Sequence, residues 1–139
     1  MAAYNKFDCF TLDLATKLHN LNADTLKIML SNVLPVRTNT VKSNLTEIAA
    51  GNGYSAGGSI APFVSGIDTS GSYKLILSPV VFTAVGGSIG PFQYAPIYNA
   101  TAAGLNLIAW WDYGTPITIT NGNSFTVGLD QTAGTLTLV

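Results

Sequence analysis

The chain has 139 residues, of which 47% are apolar and 9% charged, with a net charge of −1; an average soluble domain is roughly 25% charged. That length suits one domain, 1–139, able to bury a core without disulfides or metal. The lack of Lys/Arg clusters argues against direct nucleic-acid binding, and a single cysteine, Cys9, excludes an intrachain disulfide or a Cys-rich zinc site.

A neutral surface rich in Thr, Ser, Asn and Gly favours association over a free monomer. The first residues have no apolar stretch after Lys6, so no signal peptide is expected and synthesis in a cytoplasm follows. Residues 75–111 carry no charge, but Pro79, Pro91, Pro96 and Gly86-Gly87 interrupt any continuous helix, so no membrane segment is expected. Nine of the thirteen charged residues lie in the first 47 positions, so the N-terminal third and the remainder face different surroundings. Residues 1–10 could form an extended N-terminal arm.

In chain order, Phe7 to Leu14 alternates enough to predict a first strand. Leu18 to Leu30 reads as a short helix or as a loop feeding a strand. The strand is favoured, because Leu26, Ile28 and Leu30 alternate with Thr25, Lys27 and Met29. Asn32 to Pro35 turns the chain. One short helix is predicted near residues 40–49, capped by Asn39 or Thr40, with Val41, Leu45 and Ile48 on one face. Gly51 to Gly58 is a glycine-rich loop and a long excursion.

From Ser59 onward, short apolar runs alternate with turn residues at the spacing of a β-sandwich or barrel. Strands are predicted at Ile60 to Ile67, Tyr73 to Leu77, Val80 to Ala84, Phe92 to Asn99, Leu105 to Asp112, Pro116 to Thr120, Ser124 to Leu129 and Thr135 to Leu138. Asn121-Gly122 predicts a tight hairpin that faces Ile117 and Ile119 towards Phe125, Val127 and Leu129. The class is mainly β, sandwich or jelly-roll-like.

Catalytic ingredients are scarce. Gly51-Asn52-Gly53-Tyr54-Ser55-Ala56 matches a loose dinucleotide pattern, but without a strand before it and a helix after it. His19, the one histidine, has Asp13 and Asp24 six and five residues away on opposite sides; no shared face results, and a plain surface or interface histidine is expected. The seven carboxylates form no paired motif, so no catalytic residue, metal or cofactor is assigned. In a strand, Trp110 and Trp111 point to opposite faces. One can fill the core while the other meets a subunit, both can be ordinary core or edge residues, or an aromatic platform beside Asp112 can stack a sugar. The contact candidates are Phe7, Phe10, Arg37, Tyr54, Trp110, Trp111 and Tyr113.

Four phrases carry a family likeness: residues 45–58, residues 86–95, Trp110-Trp111-Asp112-Tyr113-Gly114, and Asn121-Gly122 with the strand after it. Over residues 10–139 the chain resembles small structural proteins of tailed bacteriophages, of the capsid decoration or cement type. The resemblance implies a non-enzymatic virion protein on the capsid surface, binding the major capsid protein as a homotrimer and stabilising the shell. The charged N-terminal segment, Arg37 and the glycine loop would then contact the shell. A tail or baseplate component touching host surface glycans is the alternative.

Overall fold

The computed structural model describes residues 2–138. In chain order the elements are β1 (Ala3–Lys6), α1 (Cys9–Ala15), β2 (Leu26–Ile28), a 3-10 turn (Lys42–Asn44), β3 (Ser59–Ile60), β4 (Phe63–Thr69), β5 (Ser72–Leu77), β6 (Val80–Thr83), β7 (Ile89–Asn99), β8 (Leu107–Ile119), β9 (Ser124–Val127) and β10 (Leu136–Leu138). The fold is mainly β, 45% strand, as the alternating pattern predicts. A five-stranded antiparallel sheet runs β1-β8-β7-β2-β3; a second sheet runs β10-β5-β4; β6 pairs with β9.

The N-terminal segment departs from expectation. Residues 3–6 are no arm: they pair with Asp112 to Ala109 of β8. The strand predicted over Phe7 to Leu14 is instead α1. Phe10 is buried and Leu12 exposed, so the alternation of Phe10, Leu12 and Leu14 has no common face to serve. Phe7, Phe10 and Leu14 stand at spacings of three and four, the helical period. A Schellman closure ends the helix: Leu18 N–H donates to the Asp13 carbonyl, Lys17 N–H to that of Leu14, and Lys17 adopts φ 69°.

The helix predicted near 40–49 contracts to one 3-10 turn, Lys42–Asn44. Asn44 is the cause, because its Oδ1 accepts the Thr40 and Val41 backbone N–H groups at 3.0 and 3.1 Å. Such a side chain competes with helix bonding. Leu45 is already extended at ψ 153°, and Ile48 N–H reaches the Leu30 carbonyl. Leu45 and Ile48 consequently pack against different clusters rather than sharing a face.

The Asn121-Gly122 turn forms, but its hairpin does not. Asn123 N–H donates to the Thr120 carbonyl, and Gly122 alone takes positive φ (85°). This matches a type II turn rather than I′, so the flanking strands diverge. β9 pairs with β6, while the end of β8 stays with β7 through Ile119↔Ile89 and Ile117↔Phe92. Ile117, Ile119, Phe125, Val127 and Leu129 still meet in one core. The two strands predicted at 105–112 and 116–120 merge into β8, which carries extra residues around Gly114 (φ 79°) between the Tyr94↔Asp112 and Phe92↔Ile117 pairs. Pro62 interrupts the single strand predicted over 60–67 and divides β3 from β4.

Trp110 and Trp111 leave β8 on opposite faces. Trp111 joins the larger core, where Leu75, Leu77, Val80, Phe82 and Val127 come from the two smaller sheets. Trp110 joins a second cluster with Phe7, Met29, Tyr94, Tyr98 and Leu107. The five-stranded sheet therefore carries buried apolar surface on both sides.

Gly58 (φ 78°) lets the glycine loop close onto β2: a Cβ there would overlap the Ile28 carbonyl oxygen. Gly58→Ala is therefore expected to destabilise the fold by about 3 kcal/mol, combining positive-φ strain with backbone overlap. Urea unfolding of the variant beside the parent checks this; a loss under about 1 kcal/mol would contradict the close approach.

Candidate functional site

Of the seven contact candidates, Phe7, Phe10, Tyr54, Trp110 and Trp111 are buried within the chain itself. Phe7 lies 4.6 Å from the Trp110 ring, and Trp111 meets Tyr4 edge-on at 5.7 Å. Tyr113 is half-buried against Phe92 and Phe125. Arg37 is the candidate left exposed; its Nε sits 3.3 Å from Asp8 Oδ2, both groups in solvent. Aromatic richness thus marked the core rather than a contact surface.

Tyr54 explains the order of the glycine loop. Its hydroxyl donates to Glu47 Oε1 at 2.6 Å and accepts the Leu30 N–H at 3.1 Å. The same Glu47 oxygen accepts Gly57 N–H at 2.5 Å, and Oε2 takes Lys42 Nζ at 3.0 Å. Tyr98 donates from the other side to the Gly57 carbonyl at 2.6 Å. The loop is thus no free excursion but is fastened at both ends of this network. Burial alone would raise the Glu47 pKa, yet the bonds from Tyr54, Lys42 and Gly57 outweigh it and hold the carboxyl below its usual range. For Tyr54, burial and the bond to Glu47 push the phenol up.

His19 is buried, contrary to the surface position expected of it, and both carboxylates converge on it. Their approach is invisible in the spacing because Lys17 reverses the chain after α1. With its side chain closed off from solvent, the imidazole cannot reach a substrate as general base. Cys9 is half-buried; burial, then Asp13, pushes its thiol up to about 11, so it is no nucleophile at neutral pH. Among the described residues, no group of three or more His, Cys, Asp or Glu side chains could hold a metal ion. No described helix is long and apolar enough to cross a membrane.

The surface feature that stands out lies along β3 and β4. Ile60, Phe63, Val64 and Ile67 are 53, 44, 50 and 47% exposed. β4 is the outer strand of its sheet, and among the described residues no strand pairs with its other side. Adjacent Phe63 and Val64 are both exposed because the β4–β5 register slips between Phe63 and Ser65. Chemically, this edge offers unpaired backbone groups along β4 and apolar side chains, with Asp68 following Ile67 and with Lys27 and Lys74 opposite Ile60 and Ile67 on the neighbouring strands. A sequence signal existed: no charged residue lies between Glu47 and Asp68. A separate groove of about 370 Å³ runs between the two chain ends, with Tyr4, Trp111, Asp130, Thr135 and Thr137 in its lining.

Comparison with protein-family models, curated proteins and solved structures gives no match.

Removing the Glu47 charge leaves three donors poorly answered. Glu47→Gln is expected to cost about 2 kcal/mol and Tyr54→Phe somewhat less, measured by chemical denaturation at neutral pH. Because the folded-state pKa of Glu47 lies below its unfolded value of 4.5, the contribution is present above that value and lost as pH falls through the folded pKa. The acid limb of the stability profile should therefore flatten in Glu47→Gln.

Proposed function

We propose that this chain is a non-enzymatic structural subunit of a larger assembly and, following its resemblance to tailed-phage structural proteins, a capsid decoration protein. In that role it associates as a homotrimer and binds the major capsid protein on the outer surface of the shell. The exposed apolar edge of β3 and β4 carries the reading. An unpaired edge strand is a template for pairing with another chain, and free-standing proteins blunt such edges with charge or cover. Here Ile60, Phe63, Val64 and Ile67 stand on it instead. The low overall charge supports the same reading.

The contact surface shifts from the one suggested by charge placement. Residues 3–6 form β1, Phe7 and Phe10 are buried in the chain's own clusters, and the glycine loop turns Tyr54 inward. β3 and β4 take their place as the docking edge.

The groove beside Tyr4 and Trp111 favours a second reading, a tail or baseplate component that touches glycans. Tyr4 is 44% exposed and presents an aromatic ring, and Asp130 and two threonines line the same groove. Trp110, on the opposite face, takes no part.

Light scattering is expected to show an oligomer, a trimer on the capsid reading, that co-sediments with phage shells. Val64→Lys with Ile67→Lys should weaken association at least about tenfold, equivalent to about 1.4 kcal/mol, without lowering monomer stability. A species monomeric at all concentrations that ignores shells would overturn the capsid reading. Glycan binding abolished by Tyr4→Ala would then favour the tail role.

A further inference from the structure

The segment between α1 and β2 is held by an unusual set of buried polar groups. His19 lies within it, its side chain closed to solvent and its ring 5.5 Å from that of Phe10. Opposite stands Asn99, fully buried at the end of β7. Asn99 Oδ1 accepts the backbone N–H groups of Thr101 and Ala102 at 2.9 and 3.1 Å. Its Nδ2 donates to Asp24 Oδ2 at 2.6 Å and lies 2.9 Å from His19 Nδ1.

These bonds settle the protonation of the ring. An amide whose oxygen holds two backbone donors must turn its NH₂ towards Asp24 and His19. His19 Nδ1 is therefore an acceptor without a proton, and the neutral ring carries its hydrogen on Nε2. Nε2 has no hydrogen-bond partner among the described residues and stands 4.0 Å from Asp13 Oδ2, beyond bonding distance. A second proton would have to enter at Nδ1, facing the Asn99 donor. The amide cannot flip to meet it, because flipping would abandon Thr101, Ala102 and Asp24 together.

We propose that the His19–Asn99 contact is a pH latch: with the imidazole neutral it holds the segment between α1 and β2 against the end of β7, and protonation releases that segment. The fastening is local and specific. Ala100 N–H donates to the Thr25 carbonyl at 2.8 Å, Thr25 N–H to Thr101 Oγ1 at 2.8 Å, and Asn20 N–H to Asp24 Oδ2 at 2.8 Å. The segment borders an existing cleft of about 450 Å³, lined in part by Lys17, His19, Asn20, Leu21, Asn22 and Tyr73, which release would widen.

The titratable and charged groups around the ring are Asp13 on α1, with Cys9 beside it, Lys17 just beyond that helix, Asp24 in the same segment and Tyr73 across the cleft. Asp13 is itself held by Asn106 Nδ2 at 3.2 Å. Burial disfavours the imidazolium and outweighs the attraction of Asp13 and Asp24, so the folded-state pKa lies below 6.5. Folded His19 therefore takes up its proton at lower pH than unfolded His19. The stability it contributes is complete above 6.5 and is lost as pH falls through the folded pKa.

Because His19 is the one histidine, long-range ¹H–¹⁵N spectra of the ¹⁵N-labelled protein report it without ambiguity. The expected result is an Nε2–H tautomer at neutral pH and a midpoint below 6.5. Protection of the Asn20, Thr25, Ala100 and Thr101 amides against hydrogen exchange, taken relative to the intrinsic rate at each pH, should drop at least about tenfold as pH falls through the same midpoint. His19→Asn places a non-titrating oxygen near the Nδ1 position, and the step in exchange should vanish there. An Nδ1–H tautomer, a midpoint at or above 6.5, corrected protection that stays flat through the wild-type titration, or a step that persists in His19→Asn would each overturn the latch. The wild-type spectra decide the question even if the variant does not fold.

Discussion

Antiparallel pairing of β7 with β8 is the constraint from which the other parts of this fold take their positions. The two strands are the longest in the molecule and form the middle of the five-stranded sheet, with β1 laid on the outer side of β8 and β2 on the outer side of β7. Their shared register sets Pro96 opposite Trp110 and Ala95 opposite Trp111. Small or rigid residues on β7 thus leave room for a large side chain on each face. One indole organises the main core and the other a smaller cluster under the α1 approach, so the same pairing supplies both sides of the sheet.

Around this apolar frame, buried polar side chains order the loops. Glu47 gathers the glycine loop, and Asn99 gathers the segment before β2. Both exploit the same asymmetry: a buried acceptor contributes modestly when satisfied, whereas an unsatisfied one costs more. Ser31, fully buried, repeats the device by donating to the Thr46 carbonyl at 2.5 Å while accepting Val33 N–H at 3.1 Å. Of the three only Glu47 is charged, and it is half-buried; the fully buried polar groups Asn99 and Ser31 are neutral.

Much of the β pattern was legible in the amino-acid order. The alternation of Leu26, Ile28 and Leu30, the burial pattern of β6 and the opposed tryptophans follow from a period of two, whereas β5 and β7 are legible as apolar runs bounded by turn residues, Tyr94 to Asn99 of β7 being buried throughout. The spacing over Phe7 to Leu14 fits both periods, 2 and 3.6, because a seven-residue helix offers too few turns to separate them. Residues 40–49 satisfied a helical spacing but not a helical backbone, since Asn44 captures the N–H groups a first turn would use. Asn121-Gly122 specified a turn without specifying its type, and the type determines which strand becomes the neighbour. His19 was out of reach for a different reason: its partners Asn99 and Asp24 come together through β2–β7 pairing, a tertiary event with no local trace. The edge along β3 and β4 had a trace in its missing charges, overshadowed by the more conspicuous aromatics.

The register of β1 has a consequence for the order of folding. Ala3 to Lys6 find their partners only at Asp112 to Ala109, and β2 finds β7 some seventy residues along the chain. Contacts so distant in sequence slow folding, because loop-closure entropy is lost before packing compensates for it. During synthesis the first strand must wait, unpaired, until β8 has left the ribosome. Residues 3–6 can therefore be enclosed only after β8 has been made, whereas β2 has a partner in β3 well before β7 follows.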